Sequence, residues 1–591
     1  MNHLFEKNIS LLNEKFPSVV KKLENLKHKH ETKLKKPSRH DSIYTEVQAI
    51  DRIEVEKYIS RELKNLRVEE GIIFLFLGIG MARHIEKFLE LYGENALKAK
   101  IILVEKNPET FFHLINTKDI EFLIKPSITL MIGENIGEVT SLFESISPVY
   151  FRGYRIVKHP VLYERDTKYY QAIENNFKSL LGAVLTDLFT RYFFEPLWFK
   201  NIILNTPHLS KAIPLRVFKD RFHNVPAIVV GAGPSLKRDI ENIMNLSKKY
   251  CIIATDTALR TLICSKIVPH FVVTLDAQYH SIMDFQNLGS VGTERSINTR
   301  VNNKKPLLIA DLSCYPGVLK LGIEKISLIK SMNVSSWDTS GEASSYEVSP
   351  LYRFIARYTD RIDGLACGGS VITTCTEFAL YGGFSPIVIC GIDLSYPDYL
   401  THVVSSPYHR KSIVDSNRTS TIINYHTGNL SKRKLLVVKN KKNHPVVSDV
   451  VLDRYREWII KRNRYYGGKV YISTNNSTSI PGLEAIDPAK IEGKRFNAPA
   501  GKIENNVIYE NPAEILTDLK RSLSNANEWL NKNNLDSEVL DIFLNNYDFL
   551  RTITPVFLRF YKKYETMQMN LKLFLEMCIK TADKAMRLLG K

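Results

Sequence analysis

Glycine turns and acidic residues follow short apolar runs in two parts of this sequence. The first part extends from Pro226 to Asp276 and alternates three apolar runs with two polar, helix-like segments. Short apolar runs bounded by turns are typical of buried parallel strands. A strand that leads through a glycine turn into a helix places backbone N–H groups and a helix N-terminus where phosphate groups bind. This part of the chain therefore predicts a nucleotide-binding unit.

The candidate nucleotide-binding residues of this part stand in its turn and at the ends of its strands. They are Gly231, Gly233, Pro234 and Ser235 in the turn, with Thr255, Asp256 and Asp276 after the second and third apolar runs. We expect Ser235 to be the N-cap of the following helix. Leu236 stands where the dinucleotide-binding fingerprint has its third glycine, so the spacing is not that fingerprint. A tight turn without a ligand is the alternative, and the two strand-terminal Asp residues favour nucleotide binding.

The second part extends from Leu365 to Asp398. Its segment Gly368-Gly369-Ser370 opens an apolar helix, and we expect the N–H groups of Gly369 and Ser370 to be free for a phosphate. The next apolar run ends in Gly391-Ile392-Asp393, so an acidic residue again follows a strand. The loop beyond carries hydroxyl and imidazole groups suited to acid–base chemistry, namely Tyr396, Tyr399, His402, Tyr408 and His409.

Composition and charge exclude several classes of protein. The 591 residues carry a formal net charge of +18, and 44% hydrophobic with 24% charged residues is ordinary for a globular protein. No apolar run approaches the roughly 20 residues that span a bilayer, and the chain begins without a signal-peptide pattern, so we expect a cytoplasmic protein without membrane insertion. The seven cysteines form no CxxC pair, and we expect no metal site. Without a nucleic-acid-binding motif, solvated lysine faces explain the charge better than nucleic acid does.

The sequence predicts an α/β protein with three domains. We expect an N-terminal helical and Rossmann-like domain over residues 1–203, a central Rossmann-like catalytic domain over 204–490 and a helical C-terminal domain over 491–591. In the first domain Gly78 and Gly80 follow an apolar run and Glu105 ends the next run, an arrangement that methyltransferases use for S-adenosylmethionine. No later segment supplies a methyl-transfer site, so we interpret this turn as structural.

Four other stretches carry secondary-structure predictions. We predict an amphipathic helix from Val55 to Leu66, a helix from Tyr169 to about Leu204, a polar surface loop from Ser331 to Val348 and a basic aromatic helix from Arg454 to Tyr466.

Five segments together resemble the motility-associated factor (Maf) family of flagellin glycosyltransferases. They are VVGAGPSL from Val229, ATDTAL from Ala254, VVTLDAQ from Val272, GGSVITTCTEFALYGG from Gly368 and CGIDLSYPDYLTH from Cys390. The resemblance covers roughly residues 204–488 and extends to the rest of the chain in layout only. That family is distantly similar to bacterial sialyltransferases that use CMP-activated nonulosonic acids.

The resemblance implies transfer of a pseudaminic- or legionaminic-type sugar from a CMP-sugar to Ser or Thr of flagellin, without a separate cofactor. By the same likeness the turn from Gly231 to Ser235, with Thr255 and Asp256, would hold the cytidine nucleotide. Gly369 and Ser370 would face its phosphate. The catalytic candidates are Asp393, Tyr396 and His402, with Tyr396 against the leaving phosphate and His402 as the base.

Alternatives remain for the base and for the activity. A histidine near its ordinary pKa suits proton removal from an acceptor hydroxyl, and His409 and His426 are the fallback candidates. The family fold also resembles an archaeal hydroxymethyldihydropterin pyrophosphokinase, which implies an ATP-dependent activity with Asp256, Asp276 and Asp393 as metal ligands. A non-catalytic flagellin-binding assembly factor is the third hypothesis.

Overall fold

A computed structural model describes most of the chain. It covers residues 3–32, 63–64, 66–69, 71–144, 153–285, 306–321, 323, 325–337, 343–360, 362–440, 443–475, 478–497, 511–535, 537–551, 553 and 564–590. The amphipathic helix predicted from Val55 to Leu66 falls largely outside these residues. The chain divides into two compact units, residues 1–192 with 555–567 and residues 193–554 with 568–591.

The first unit is built on a four-stranded parallel sheet with the strand order β3-β2-β1-β4. All six residues of β1 are buried, as expected for a continuous apolar strand in the middle of a parallel sheet. The strands are β1 (Ile72–Leu77), β2 (Lys100–Glu105), β3 (Ile128–Ile132) and β4 (Gly153–Lys158). The helices are α1 (His3–Lys15), α2 (Pro17–Thr32), α3 (Arg83–Lys98), α4 (Pro108–Thr117), α5 (Ile136–Glu144), α6 (Pro160–Arg165) and the start of α7 (Thr167–Asn205).

The second unit is built on a ten-stranded sheet with the strand order β10-β9-β8-β7-β6-β5-β12-β15-β16, to which β11 adds beside β9. All of its pairings are parallel except that of β10 with β9. The strands are β5 (Ala227–Val230), β6 (Cys251–Thr255), β7 (Phe271–Thr274), β8 (Leu307–Asp311), β9 (Ile326–Trp337), β10 (Ala343–Glu347), β11 (Asp363–Cys367), β12 (Ile387–Cys390), β15 (Val470–Ser473) and β16 (Ala485–Ile486). The chain runs outward from β5 in one direction and resumes on its other side with β12, so β5 and β12 form a topological switch point.

Helices and a separate hairpin complete the second unit. The hairpin pairs β13 (Leu435–Lys439) with β14 (Pro445–Asp449). The helices are α8 (Leu236–Leu246), α9 (Asp256–Cys264), α10 (Ile282–Phe285), α11 (Pro316–Leu319), α12 (Pro350–Ile355), α13 (Val371–Tyr381), α14 (Pro407–Val414), α15 (Ile422–Leu430), α16 (Val450–Tyr465), α17 (Pro512–Lys532), α18 (Ser537–Asn546) and α19 (Tyr564–Leu589). None of the described helices combines the length and the apolar character needed to cross a bilayer.

The predicted fold class is confirmed, since the two Rossmann-like regions and the helical C-terminal region are present. The helices predicted from Tyr169 and from Arg454 are α7 and α16. The loop predicted from Ser331 to Val348 is wrong, because β9 and β10 occupy most of it. Pairing of β9 with β8, β10 and β11 satisfies the backbone of a segment rich in small polar residues, and that tertiary pairing outweighs local propensity.

Candidate functional site

The glycine turn after β5, Gly231 to Ser235, meets the turn after β12, which begins at Gly391, at the switch point between these strands. The Gly231 N–H donates to the carbonyl oxygen of Cys390 over 2.9 Å, and a Cβ on Gly231 would lie 2.7 Å from the carbonyl oxygen of Gly391. Ile372, in the first turn of α13, would be 3.2 Å from the same Cβ. The glycines therefore allow two backbone segments to touch, and they bring the N-terminus of α13 beside the β5 turn.

Asp393 joins the same contact from the end of β12. Its Oδ2 accepts a 2.8 Å hydrogen bond from the Ser235 N–H, and the Gly233 N–H donates to the carbonyl oxygen of Gly391 over 2.8 Å. The Asp393 side chain is buried, whereas Gly233 and Pro234 remain partly exposed. The carboxylate thus holds the start of α8, and the exposed face of the turn is left for a ligand.

Thr255 and Asp256 lie at the end of β6, where α9 begins. Thr255 caps the helix by accepting from the Ala258 N–H. The Asp256 carboxylate accepts from the Thr257 N–H over 2.7 Å and from the Thr274 hydroxyl over 2.8 Å. Asp256 is buried, and burial raises its pKa to about 6, with the Asp276 charge adding to the shift.

A third carboxyl group, Asp284, completes an acidic cluster with Asp256 and Asp276. Asp276 follows β7 and accepts from the Gln278 N–H over 2.9 Å, while burial raises its pKa. Asp284 lies on α10, and its Oδ1 is buried without a hydrogen-bond partner. Burial, and then the charges of Asp256 and Asp276, raise the pKa of Asp284 to about 9. Asp284 therefore holds a proton at neutral pH.

The N-terminus of α13 differs from the expectation of free N–H groups at Gly369 and Ser370. The Ser370 N–H donates to the Thr373 hydroxyl and the Gly369 N–H to the Cys367 sulfur, each over 3.4 Å. The expectation was wrong because Thr373 completes a capping box with Ser370. The Ser370 contact is long for an N–H···O bond, sulfur is a weak acceptor for the Gly369 N–H, and Gly369 is exposed with a φ of +87°. An anion would compete with weak contacts at this helix end.

The loop after β12 lies over the β5 turn. The Val403 N–H donates to the carbonyl oxygen of Ala232 over 2.8 Å, and the Ser405 and Thr261 hydroxyls are 2.7 Å apart. These contacts fix His402 near the turn. Its ring stacks on Tyr408 with centroids 4.9 Å apart, and its Nδ1 lies 3.1 Å from the Thr401 hydroxyl.

The pKa of His402 departs from the expected ordinary value. Burial lowers it to about 4, and the positive Arg433 and nearby His426 add to the shift. The expectation of a near-ordinary pKa was wrong because the loop buries the imidazole, and burial disfavours its charged form. Tyr408 is the ring that stacks on His402. Burial and the charges of the acidic cluster raise the pKa of its hydroxyl.

Tyr396 is buried and takes part in a three-residue network. Its hydroxyl donates to Asp449 Oδ2 over 2.6 Å and accepts from an Arg433 nitrogen over 3.0 Å. Arg433 also donates to Asp449 Oδ2 over 3.0 Å, and the Arg433 side chain is 45% exposed. The Tyr396 hydroxyl proton is therefore committed to Asp449, and Arg433 is the group of this network that faces solvent.

The fallback histidines lie further along the same loop region. His409 on α14 and His426 on α15 stack with centroids 5.5 Å apart. Both are buried, and burial lowers the pKa of each.

Three residues of the candidate site, Arg433, Asp449 and Asp284, were not predicted from the sequence. Arg433 belongs to the lysine-rich run from Lys432 to Lys442, which the charge pattern assigned to a solvated face.

The glycine turn of the first unit is filled by its own side chains. Glu105 at the end of β2 accepts from the Ile79 N–H over 3.0 Å and from the Gly80 N–H over 3.3 Å. A Cβ on Gly80 would lie 2.7 Å from Nε2 of the buried His159. The Glu105 carboxylate and the N–H groups of the turn, which would bind a methyl donor, are thus hydrogen-bonded to each other.

Comparison with known proteins bears on the fold of the whole chain. A Maf glycosyltransferase structure from Magnetospirillum magneticum AMB-1 superposes with a TM-score of 0.53 and 14% sequence identity, covering 100% of this chain and 96% of that one. The chain has a Maf-like fold. The resemblance predicted from the five segments is confirmed at that level.

Sequence comparisons cover smaller parts of the chain. The 6-hydroxymethylpterin diphosphokinase MptE-like family matches residues 200–399, which carry β5 to β12. An uncharacterised protein of Treponema pallidum (strain Nichols) is 31% identical over 115 residues, which are 19% of this chain and 52% of that protein. A second one from the same strain is 29% identical over 158 residues, which are 27% of this chain and 36% of that protein. The chain thus spans about half or less of the curated relatives that it matches.

Proposed function

We propose that this protein is a cytoplasmic glycosyltransferase that moves a nonulosonic acid, of pseudaminic or legionaminic type, from a CMP-sugar to Ser or Thr of flagellin. The observation that carries the proposal is the meeting of the Gly231–Ser235 turn, the α13 N-terminus and the His402 loop at one switch point. Crevices of this kind are where open parallel sheets bind their ligands. The whole-chain likeness to a Maf glycosyltransferase fold supports the same function.

The nucleotide would lie across the β5 turn and the tip of β6. The exposed face of Gly233 and Pro234 would meet it, while Thr255 and Asp256 shape the neighbouring wall. The phosphate would lie at Gly369 and Ser370, because the α13 N-terminus carries a positive dipole end. In this arrangement Asp393 contributes by holding the turn.

The chemical step breaks a sugar–phosphate bond and needs charge stabilisation on the departing phosphate. Arg433 would supply a positive charge beside Tyr396, whose own proton stays on the bond to Asp449. His402 would accept the proton of the acceptor hydroxyl through Nε2, since Nδ1 faces Thr401. Its pKa of about 4 makes it neutral at pH 7, and the negative phosphate of bound CMP would raise that pKa towards the useful range.

ATP-dependent pterin pyrophosphorylation is the second candidate, because the MptE-like family matches the central region. That chemistry would need carboxylates to hold a divalent cation. Asp393 lies beyond β12, on the far side of β5 from Asp256 and Asp276, and its Oδ2 is bonded to Ser235. Within the described part of the chain, no group of three or more His, Cys, Asp or Glu side chains is arranged to hold a metal ion. The donor set therefore fits this activity less well than glycosyl transfer.

Titration of the intact protein separates the candidate functions. We expect CMP to bind in the micromolar to millimolar range without added metal, and ATP with Mg²⁺ to bind at least about tenfold more weakly. Tighter binding of ATP with Mg²⁺ would favour the pterin kinase, and no nucleotide binding would favour an assembly factor without catalysis. The intact mass of flagellin from cells with and without this protein then tests sugar transfer directly.

A further inference from the structure

Among the described residues, no further strand pairs along the outer edge of β13 in the β13–β14 hairpin, which lies beside the candidate site. The register pairs Leu436 with Ser448, and the Asn440 N–H bonds to His444 beyond the end of the ladder. Asn440 and His444 therefore form a hydrogen-bonded pair, and such pairs alternate with non-bonded pairs along an antiparallel ladder. Leu435 and Val437 belong to the non-bonded pairs, so their N–H and C=O groups point away from β14. Within the described chain, the partners of this strand segment are β14 and a single bridge from Asn440 to Thr478.

The opposite edge of the hairpin is covered by the site itself. The Tyr396 N–H donates to the carbonyl oxygen of Val447 over 2.8 Å, and the Ser448 hydroxyl donates to the carbonyl oxygen of Leu394. The hairpin is therefore attached through β14 to the loop after β12. Its free edge is that of β13, next to Arg433.

The side chains on this edge are apolar and exposed. Leu435 is 44% exposed and Val437 is 74% exposed. Soluble proteins usually protect an edge strand with an internal charge, a proline or a bulge, and β13 has aliphatic residues throughout its first four positions. Exposed Lys432 and Lys434 precede the strand and exposed Lys439 ends it. An apolar edge between cations matches an extended polypeptide that carries acidic side chains.

We propose that β13 docks the acceptor protein as an added strand: an extended, acidic segment of the acceptor pairs with the outward N–H and C=O groups of Leu435 and Val437. This inference rests on the proposed function for the identity of the acceptor. Main-chain pairing gives affinity with little dependence on side-chain sequence, and the lysines give the preference for acidic segments. Because Arg433 lies two residues before β13, the docked segment would present its hydroxyl residue at the Arg433–Tyr396 side of the site.

Val437→Pro tests the pairing directly. Proline removes the outward N–H and leaves the bonds to β14, since Val437 is not hydrogen-bonded to that strand. Val437→Thr is the matched control, because it keeps the N–H. With monomeric flagellin as the probe and no donor present, we expect Val437→Pro to weaken binding at least about tenfold and Val437→Thr to weaken it less than about threefold. Both variants should keep CMP affinity and thermal stability.

Charge reversal tests the preference for acidic segments. The double variant Lys432→Glu with Lys434→Glu should weaken flagellin binding and reduce its salt dependence. The control, Lys411→Glu with Arg418→Glu, reverses two exposed cations elsewhere in the loop region and should do neither.

Unchanged binding in Val437→Pro, or no flagellin binding by the wild-type protein, overturns the docking inference. A wild-type dimer that Val437→Pro dissociates without change in flagellin affinity would instead mean that the edge pairs two copies of this chain. Loss of flagellin binding in Val437→Pro together with absent CMP binding in the wild type would uphold the docking edge and reject the glycosyltransferase.

Discussion

The Asp393 carboxylate accepts a 2.8 Å hydrogen bond from the Ser235 N–H, across 158 positions of the chain. This bond connects the end of β12 to the start of α8 at the point where the strand order reverses. Together with the parallel pairing of β5 and β12, it keeps the Gly231–Ser235 turn beside the Gly391 turn. The Asp393 carboxylate therefore positions the start of α8.

Gly233→Ala should damage both the turn and nucleotide binding. An added Cβ would lie 2.5 Å from Asp393 Oδ2 and 2.7 Å from the carbonyl oxygen of Gly391, and backbone cannot move aside cheaply. We expect a melting temperature lower by several degrees and CMP binding weaker by at least about tenfold, measured by calorimetry. Gly428→Ala is the control, because its Cβ would meet nothing within 4 Å and alanine favours helix. Equal stability and CMP affinity in the two variants would contradict the structural role of Gly233.

His402→Ala should keep CMP affinity and lose most transfer to flagellin, by about 10²–10⁴ in rate if the ring is the base. The pH dependence gives a sharper test. A base must be neutral to accept a proton. The kcat/KM for the CMP-sugar should therefore fall only as the pH drops towards about 4, the pKa of His402 in the free protein. A fall centred near pH 6.5 would indicate a different base. Transfer at the wild-type rate by His402→Ala, with loss in His409→Ala or His426→Ala, would move the role to one of those rings.

Much of the fold was predictable from the sequence because it depends on local patterns. The apolar runs that became β5, β6, β7 and β12 are too short for helices and end in glycine or aspartate. What the sequence could not show was how side chains are used after folding. Gly231 and Gly233, which were predicted to bind a nucleotide, also allow the backbone at Gly391 to approach. Asp393, which was predicted to be catalytic, accepts a hydrogen bond from the first residues of α8. The pairing of β9 with three strands likewise depends on residues far along the chain.

Asp284→Asn should make folding stability less dependent on pH. The pKa of Asp284 is raised to about 9 in the folded protein, far above its unfolded value, so the folded state keeps a proton that the unfolded state has released. Stability should therefore be highest below about pH 4 with respect to this group and should fall as the pH rises towards 9. Asp256, Asp276 and Tyr408 face the same cluster and share the titration. Urea unfolding at pH 6 and pH 9 should show a smaller decline in the variant than in the wild type, and equal declines would contradict the assignment.

We expect the glycine turn of the first unit, Gly78 to Gly80, not to bind S-adenosylmethionine. A methyl-donor site would need the acid after β2 for the ribose hydroxyls and open space above the glycines. Glu105 instead bonds to Ile79 and Gly80, and His159 occupies the side where Gly80 lacks a Cβ. Calorimetric titration of the full-length protein should give no heat of binding with S-adenosylmethionine, while CMP serves as the positive control on the same sample. Glu105→Ala should lower the melting temperature, since it leaves buried N–H groups without an acceptor. Micromolar binding of S-adenosylmethionine that Glu105→Ala abolishes would show that Glu105 turns outward to a ligand, and the structural interpretation of this turn would then be wrong.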